Sequence, residues 1–358
     1  MNYVRHSSIT KLTWARKIGS TFRQRLKFHA RLFQRHAWAP RTCKTLNSEK
    51  KAFIEFCLLA DIEFLPVTGE DLCLYAVWLW VSRKFKAPKS VRAYLSAVRT
   101  LHRRLDLPCH TPSTYGPLGH LLLGLARLAK HEVRKALPVT PVILSNLLDS
   151  VPLTPNCPVQ NQILTTYKAL TLLMFLTMSR SSNMVPESRA KFDPEYLLKW
   201  GNIQRVPDGV IITITKSKTN QFFAKKHLVP LAASPVEKYC PVAALTKLAG
   251  MYKPENLVDE SPVFLVPAPD GSFVPVRKAE YVEWFKARLR QMQLPADRFG
   301  MHSYRHGGVQ QAILHEENRA LVQLASGHSS EALLGYAHIP PERRFNLSKK
   351  IVASLAAS

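Results

Sequence analysis

The rhythm of apolar and polar positions changes near residue 135. Before that point the spacing is helical throughout. Asn47 to Leu59 reads as one helix with Phe53, Phe56 and Cys57 facing in. Residues 66–83 read as a second, with Thr68 as its N-cap and Asp71 three residues later. Residues 88–105 carry the clearest stripe: Val91, Tyr94, Leu95, Val98, Leu101 and Leu105 recur at i, i+3, i+4 and i+7. Lys89, Arg92, Ser96, Arg99 and Arg103 fall on its other face. Residues 107–118 contain three prolines and form a connection, and a further helix runs from about Leu118 to Leu128.

The stretch Val133–Pro141 holds two prolines and reads as a linker. Beyond it, residues 161–178 form an apolar helix. Two or three strands follow: Ile203–Val206, a Pro207-Asp208-Gly209 turn, Val210–Ile214, a polar tip, and His227–Pro230. Residues 236–358 are mostly helical with proline-rich loops, and no internal repeat is present. The pattern predicts a mainly α chain of two domains. One is all-helical, over residues 37–135. The other is α+β with a small antiparallel sheet, over 136–358. A basic arm, 1–36, precedes both.

Composition sharpens this picture. The 358 residues include 50 Lys and Arg against 25 Asp and Glu, a formal net charge of +25. The charge is uneven, because residues 1–48 hold 11 Lys or Arg and no acid. Such a chain calls for a polyanionic partner, nucleic acid before an anionic membrane surface. The first segment admits three readings: an arm lying on DNA phosphates, a solvated tail, or an Arg-rich transit peptide. The six cysteines include no CxxC pair, which disfavours a zinc ribbon or disulfide scaffold. No apolar run approaches the ~20 residues that span a bilayer.

Four polar clusters in the second half could carry chemistry: Arg180 in Ser-Arg-Ser-Ser-Asn at the end of the apolar helix, Lys216 and Lys218 at the hairpin tip, His302-Ser-Tyr-Arg305-His306, and Gly327-His328 followed by Tyr336. Each alone has a bland explanation: a helix cap or ion pair for the arginine, exposed lysines on a turn, chance for the rest. His302 and His306 lack the glutamate and third ligand of a zinc site. Taken in order, Arg, hairpin Lys, His-x-x-Arg, Gly-His and a late Tyr resemble the tyrosine recombinase (phage integrase) superfamily. The run Ser90 to His102 is similar to the core-binding helix of such enzymes, and Gly124 to Arg127 to its closing helix. The resemblance covers roughly residues 40–358. Arg180-Ser-Ser-Asn-Met-Val-Pro186 is similar to recombinases of DIRS-type or Crypton mobile elements.

The resemblance implies a core-binding domain that clamps DNA through Lys89, Arg92, Ser96, Arg99 and Arg103, followed by a catalytic domain in which Lys216 also contacts DNA. It implies site-specific cleavage and rejoining of double-stranded DNA, for mobile-element integration or excision, without cofactor or metal. Tyr336 would be the nucleophile and form a 3′-phosphotyrosine. Arg180 and Arg305 would clamp the phosphate, and His328 would donate to it. His302 would act as base or hydrogen-bond partner, and Lys218 as acid to the leaving 5′-oxygen. It further implies a nuclear protein in a eukaryote, or a cytoplasmic, nucleoid one otherwise.

Three features depart from the family pattern. Asn183 stands where an acid is usual. The His328–Tyr336 spacing is one residue shorter than in many bacterial members. Lys216 competes with Lys218. Residues 343–356 read as an amphipathic helix with Phe345, Leu347, Ile351, Val352 and Leu355 inward. It would pack on its own domain or, as in recombinase dimers and tetramers on DNA, dock on a neighbouring protomer. The competing functions are a non-catalytic DNA-binding derivative, a type IB topoisomerase and a membrane-surface protein.

Overall fold

The computed structural model describes residues 24, 26–30, 33, 37, 40–111, 114–129, 136–149, 157–189, 192–216, 226–315, 318–327 and 341–356. The chain divides into two compact units, Met1–Val133 and Arg134–Ser358. The basic arm over 1–36 lies almost wholly outside the described residues.

The core of the first unit is formed by the helices α1 (Pro40–Ala60), α2 (Gly69–Val81), α3 (Pro88–Arg104) and α4 (Gly116–Leu128). Thr68 caps α2 as its spacing predicts. Its hydroxyl accepts from the Asp71 N–H at 3.1 Å, and the Asp71 carboxylate accepts from the Thr68 N–H at 2.9 Å. This reciprocal pair satisfies two of the donors that every helix start leaves open. Pro88 opens α3 at a position where its missing N–H costs nothing. Phe53, Phe56 and Tyr75 pack ring against ring, with Tyr75 about equidistant at 5.0 Å from both phenylalanines. Leu72, Leu79, Val91, Leu95, Val98, Leu118 and Leu122 close the core around them. One position on the apolar stripe misses. Leu105 is 59% exposed, because α3 stops at Arg104 and residue 105 has already left the helical path.

His102 sits on α3 among the polar residues of the sequence, yet it is fully buried. Its Nε2 accepts from the Val67 N–H at 3.2 Å and its Nδ1 lies 3.0 Å from the Val98 carbonyl. An N–H must face an acceptor and a carbonyl must face a donor, so the neutral tautomer with the proton on Nδ1 is the one that fits. The ring thereby ties the loop before α2 to α3. Replacing it by an isosteric apolar residue leaves the Val67 N–H buried without a partner. His102→Leu is expected to cost about 1–3 kcal/mol. Denaturant unfolding, with hydrogen exchange at the Val67 amide, measures it.

The second unit winds around α6 (Pro158–Thr177), which follows α5 (Pro141–Asp149). From Ala169 onward every residue of α6 is buried, as expected of a helix that is apolar all round. The strands β1 (Ile203–Val206), β2 (Gly209–Ile214) and β3 (His227–Ala232) form an antiparallel sheet in sequence order. Ile203 pairs with Ile212, and Ile214 with His227. Then come α7 (Pro241–Met251), the short hairpin of β4 (Leu265–Pro267) and β5 (Phe273–Pro275), and the helices α8 (Lys278–Gln291), α9 (His302–His315), α10 (Arg319–Ser326) and α11 (Pro341–Ala356).

Two contacts fix α9 against α6 and the segment before α5. Gly307 and Gly308 bring the helix so close that an added Cβ would lie 1.8 Å from the Val139 carbonyl oxygen and 2.3 Å from that of Phe175. A buried hydroxyl chain does the rest: Thr171 to Tyr281 at 2.6 Å, and Tyr281 to Tyr304 at 2.7 Å. Tyr304 immediately precedes Arg305, so this chain sets where Arg305 points.

The C-terminal helix α11 packs on β3 and α9 of its own unit. Leu347, Ile351, Val352 and Leu355 are buried there, and the Ser348 hydroxyl accepts from the Ala232 N–H at 2.7 Å. Of the two expectations for this helix, packing on its own unit is the arrangement seen in the single chain. The face is already covered in the single chain, and uncovering it would cost about 1.5–3 kcal/mol for each aliphatic side chain. Deleting 341–358 is accordingly expected to abolish the cooperative thermal transition of the second unit, as followed by circular dichroism. A transition preserved in the truncated chain would contradict this.

Candidate phosphate-binding site

The site begins where α6 ends. Met178 takes a left-handed conformation (φ 51°, ψ 24°) that a side chain with a Cβ adopts only under constraint, at a cost of about 1–2 kcal/mol. This turns the chain out of the core. Arg180 follows in extended conformation, and Ser181–Asn183 make one 3-10 turn. The arginine thus leaves a fully packed helix after only three residues.

Arg305 meets this turn from α9. It is buried at 3% exposure. Its Nη1 donates to the Met178 carbonyl at 2.5 Å and to the Ser326 carbonyl at 2.7 Å. One nitrogen therefore joins the ends of α6 and α10, and it holds the strained Met178 peptide in place. Its Nη2 is equally buried and has no partner among the described residues. Burial, with the charge of Arg180 adding to it, pulls the Arg305 pKa down to about 10, so the guanidinium stays charged near neutral pH. Among the described residues neither arginine makes an ion pair. Two neighbouring cations and a buried donor without a partner, with no carboxylate paired to either among the described residues, are an electrostatic arrangement that favours an anion.

His302 lies one turn before Arg305, and its ring meets that of His306 edge to face at 4.6 Å. The ring remains exposed. Partial burial first, then the positive charges of His306, Arg305 and Arg180, lower its pKa. It is thereby kept neutral near pH 7, as a base or an acceptor must be. The His306 Nδ1 lies 3.4 Å from the Ala136 carbonyl.

The Gly-His signal has a backbone reason. Gly327 ends α10 in the left-handed region (φ 62°), the usual place for glycine. Ser326, whose carbonyl Arg305 holds, is the residue before it. His328, Tyr336 and Lys218 lie outside the described residues. Lys216 is engaged rather than open. Its Nζ is 3.0 Å from the Glu195 carboxylate and 4.4 Å from the centre of the Tyr196 ring. Burial works against its charge, but the Glu195 hydrogen bond and Tyr196 outweigh it and raise its pKa.

The structure thus brings Arg180, His302 and Arg305 together. The groove candidates sit separately on α3 in the first unit, where Lys89, Arg92, Ser96 and Arg103 are exposed and Arg99 is half-buried. Sequence reasoning missed Met178 and Ser326, which act through their carbonyls, and the Thr171–Tyr281–Tyr304 chain. Only the left-handed position at Gly327 left a readable trace, as a glycine after an apolar helix.

No family model matches the sequence, and no curated protein does. Solved structures do. The chain has the fold of the tyrosine recombinases. The integrase of transposon Tn1549, in complex with transposon right end DNA, is similar over 92% of this chain and 98% of that one, at 15% identity and a TM-score of 0.51. A lambda integrase dimer bound to a core site is similar over 93% and 81%, at 14% identity and a TM-score of 0.47. XerH recombinase bound to its difH substrate is similar over 86% and 75%, at 16% and 0.47.

The charge around His302 gives a direct test. Its NMR titration midpoint in the free chain is expected below the ordinary ~6.5, and Arg180→Gln should move it up by removing one positive neighbour. A histidine depressed in this way makes the fold lose stability as the pH drops below the ordinary value, where the unfolded chain takes up a proton that the folded one does not. An unshifted midpoint in both proteins would contradict the arrangement.

Proposed function

We propose that the chain is a DNA strand transferase that cleaves and rejoins duplex DNA at specific sites, in the service of a mobile element. The observation that carries this is the buried Arg305 with one guanidinium nitrogen fixed to two helix ends and the other open beside Arg180. Structural arginines are normally saturated with partners. A charged donor left open in a packed interior is explained by a ligand that arrives with oxygens. With the recombinase fold and the basic outer face of α3, the fitting ligand is a DNA phosphodiester.

In the proposed reaction the Tyr336 hydroxyl oxygen attacks the phosphorus and the bond to the 5′-oxygen breaks. Tyr336 becomes linked to the 3′-phosphate, its proton passing to a base such as His302. The departing 5′-oxygen takes a proton from Lys218. Arg180 and Arg305 stabilise the charge that grows on the non-bridging oxygens, and His328 donates to the same group. Rejoining runs these steps backward with a new 5′-hydroxyl, so the energy of the broken bond is stored and no nucleotide is consumed. Self-association on DNA would bring two such sites together.

The test needs no known target. The full chain is incubated with nicked duplexes of randomised sequence, washed under denaturing conditions, and the retained DNA sequenced. Wild type is expected to retain duplexes sharing one core, Tyr336→Phe none, and Arg180→Ala about 100- to 1000-fold less. No retention by wild type would favour a binding-only protein. Relaxation of supercoiled DNA without site preference would favour a topoisomerase.

A further inference from the structure

We infer that Asn183 is a positioning residue that sets the proton-donating hairpin against the phosphate clamp; this rests on the strand-transfer reading. Asn183 is buried, three residues after Arg180. Its backbone belongs to the clamp turn: its N–H donates to the Arg180 carbonyl at 2.9 Å, and its own carbonyl accepts from the Leu198 N–H at 2.8 Å. Its side chain links the segment before β1 to the chain leaving β2. Nδ2 donates to the Tyr196 carbonyl at 3.1 Å and to the Lys216 carbonyl at 2.7 Å. Both acceptors are carbonyls, so only the amide nitrogen can face them, and both its hydrogens are used.

The rest of the hairpin root is knit to the same point. The Thr215 hydroxyl donates to the Glu195 carbonyl at 2.8 Å, and the Lys216 ammonium lies 3.0 Å from the Glu195 carboxylate. Lys216 leaves β2 two residues after the strand ends, and Lys218 follows two residues later in the sequence. A paired lysine with a raised pKa is a poor proton donor, so Lys216 serves as an anchor and the acid role falls to Lys218. One amide therefore fixes the register between the arginine that grips the phosphate and the strand that delivers the acid. A carboxylate at this position has no hydrogen for either carbonyl and would repel both. The departure from the usual acid is thus a requirement of this chain.

The test compares two versions of a duplex selected by wild type, one with the ordinary 5′-oxygen and one with sulfur in that bridging position. A thiolate leaves without a proton, so the sulfur substrate bypasses the acid. Asn183→Asp is expected to slow covalent adduct formation about 100-fold on the oxygen duplex and to come within about threefold of wild type on the sulfur duplex. Asn183→Ala removes the donors without adding charge and should show the same pattern if the aspartate variant does not fold. Equal loss on both substrates, or no loss on either, would overturn the inference. Wild type inactive on both would instead overturn the strand-transfer reading beneath it.

Discussion

The second unit depends on one guanidinium. Through Nη1, Arg305 joins the first residue beyond α6 to the last residue of α10, two carbonyls 148 positions apart in sequence. Helix ends leave carbonyls without internal partners, and a buried end without an external donor is costly. Arg305 supplies that donor twice, and a charged donor makes stronger hydrogen bonds than a neutral one. Everything that holds Arg305 in place is correspondingly rigid. Gly307 and Gly308 allow α9 to touch backbone, and the Tyr281–Tyr304 pair locks its rotation.

The same side chain explains why two arginines can sit together. Arg180 lowers the pKa of Arg305, a sign that the free protein carries unrelieved repulsion. Burial deepens that cost, and the fold bears it because half of Arg305 is doing structural work that an apolar residue could not do. The phosphate of the proposed function would remove both the repulsion and the open donor at once. On the proposed function, the clamp is already formed in the folded state and need not be assembled on binding.

Much of this was legible beforehand, and the limits have physical causes. The apolar stripe of α3, the Thr68 cap and the β1–β2–β3 strands were readable because they follow from spacing and local hydrogen bonding within a few residues. The stripe failed at Leu105 because helix ends depend on local backbone geometry that periodicity does not carry. His102 continues the buried spacing of Val91, Leu95 and Val98, but the partner that satisfies it, the Val67 N–H, lies 35 residues away and no pattern in the sequence points to it. Arg180, His302 and Arg305 stand out in the sequence by order and type, and the structure places them near one another. The structural half of Arg305 was not, since its partners are backbone carbonyls, which every residue has. Lys216 and Asn183 were visible as a rivalry and a departure, but their meaning lay in bonds to residues 195 and 196 that no sequence pattern links to them.

Arg305 and Arg180 consequently answer different questions. Shortening Arg305 to lysine keeps a charge but loses the planar fork that reaches two carbonyls on one side and an anion on the other. The Met178 peptide, left-handed and strained, would then lose the donor that holds it, and the exit path of Arg180 would loosen with it. Any loss of activity in such a variant mixes a relaxed scaffold with a missing contact. Arg180 has no comparable structural bond among the described residues. Its removal takes away clamp charge while the helix ends stay joined, and it even relieves the repulsion on Arg305. A protein lacking Arg180 that is as stable as wild type, or more so, but weaker toward phosphate charge would separate the cost of the clamp from its use. That separation is the signature of a site held in tension for its ligand.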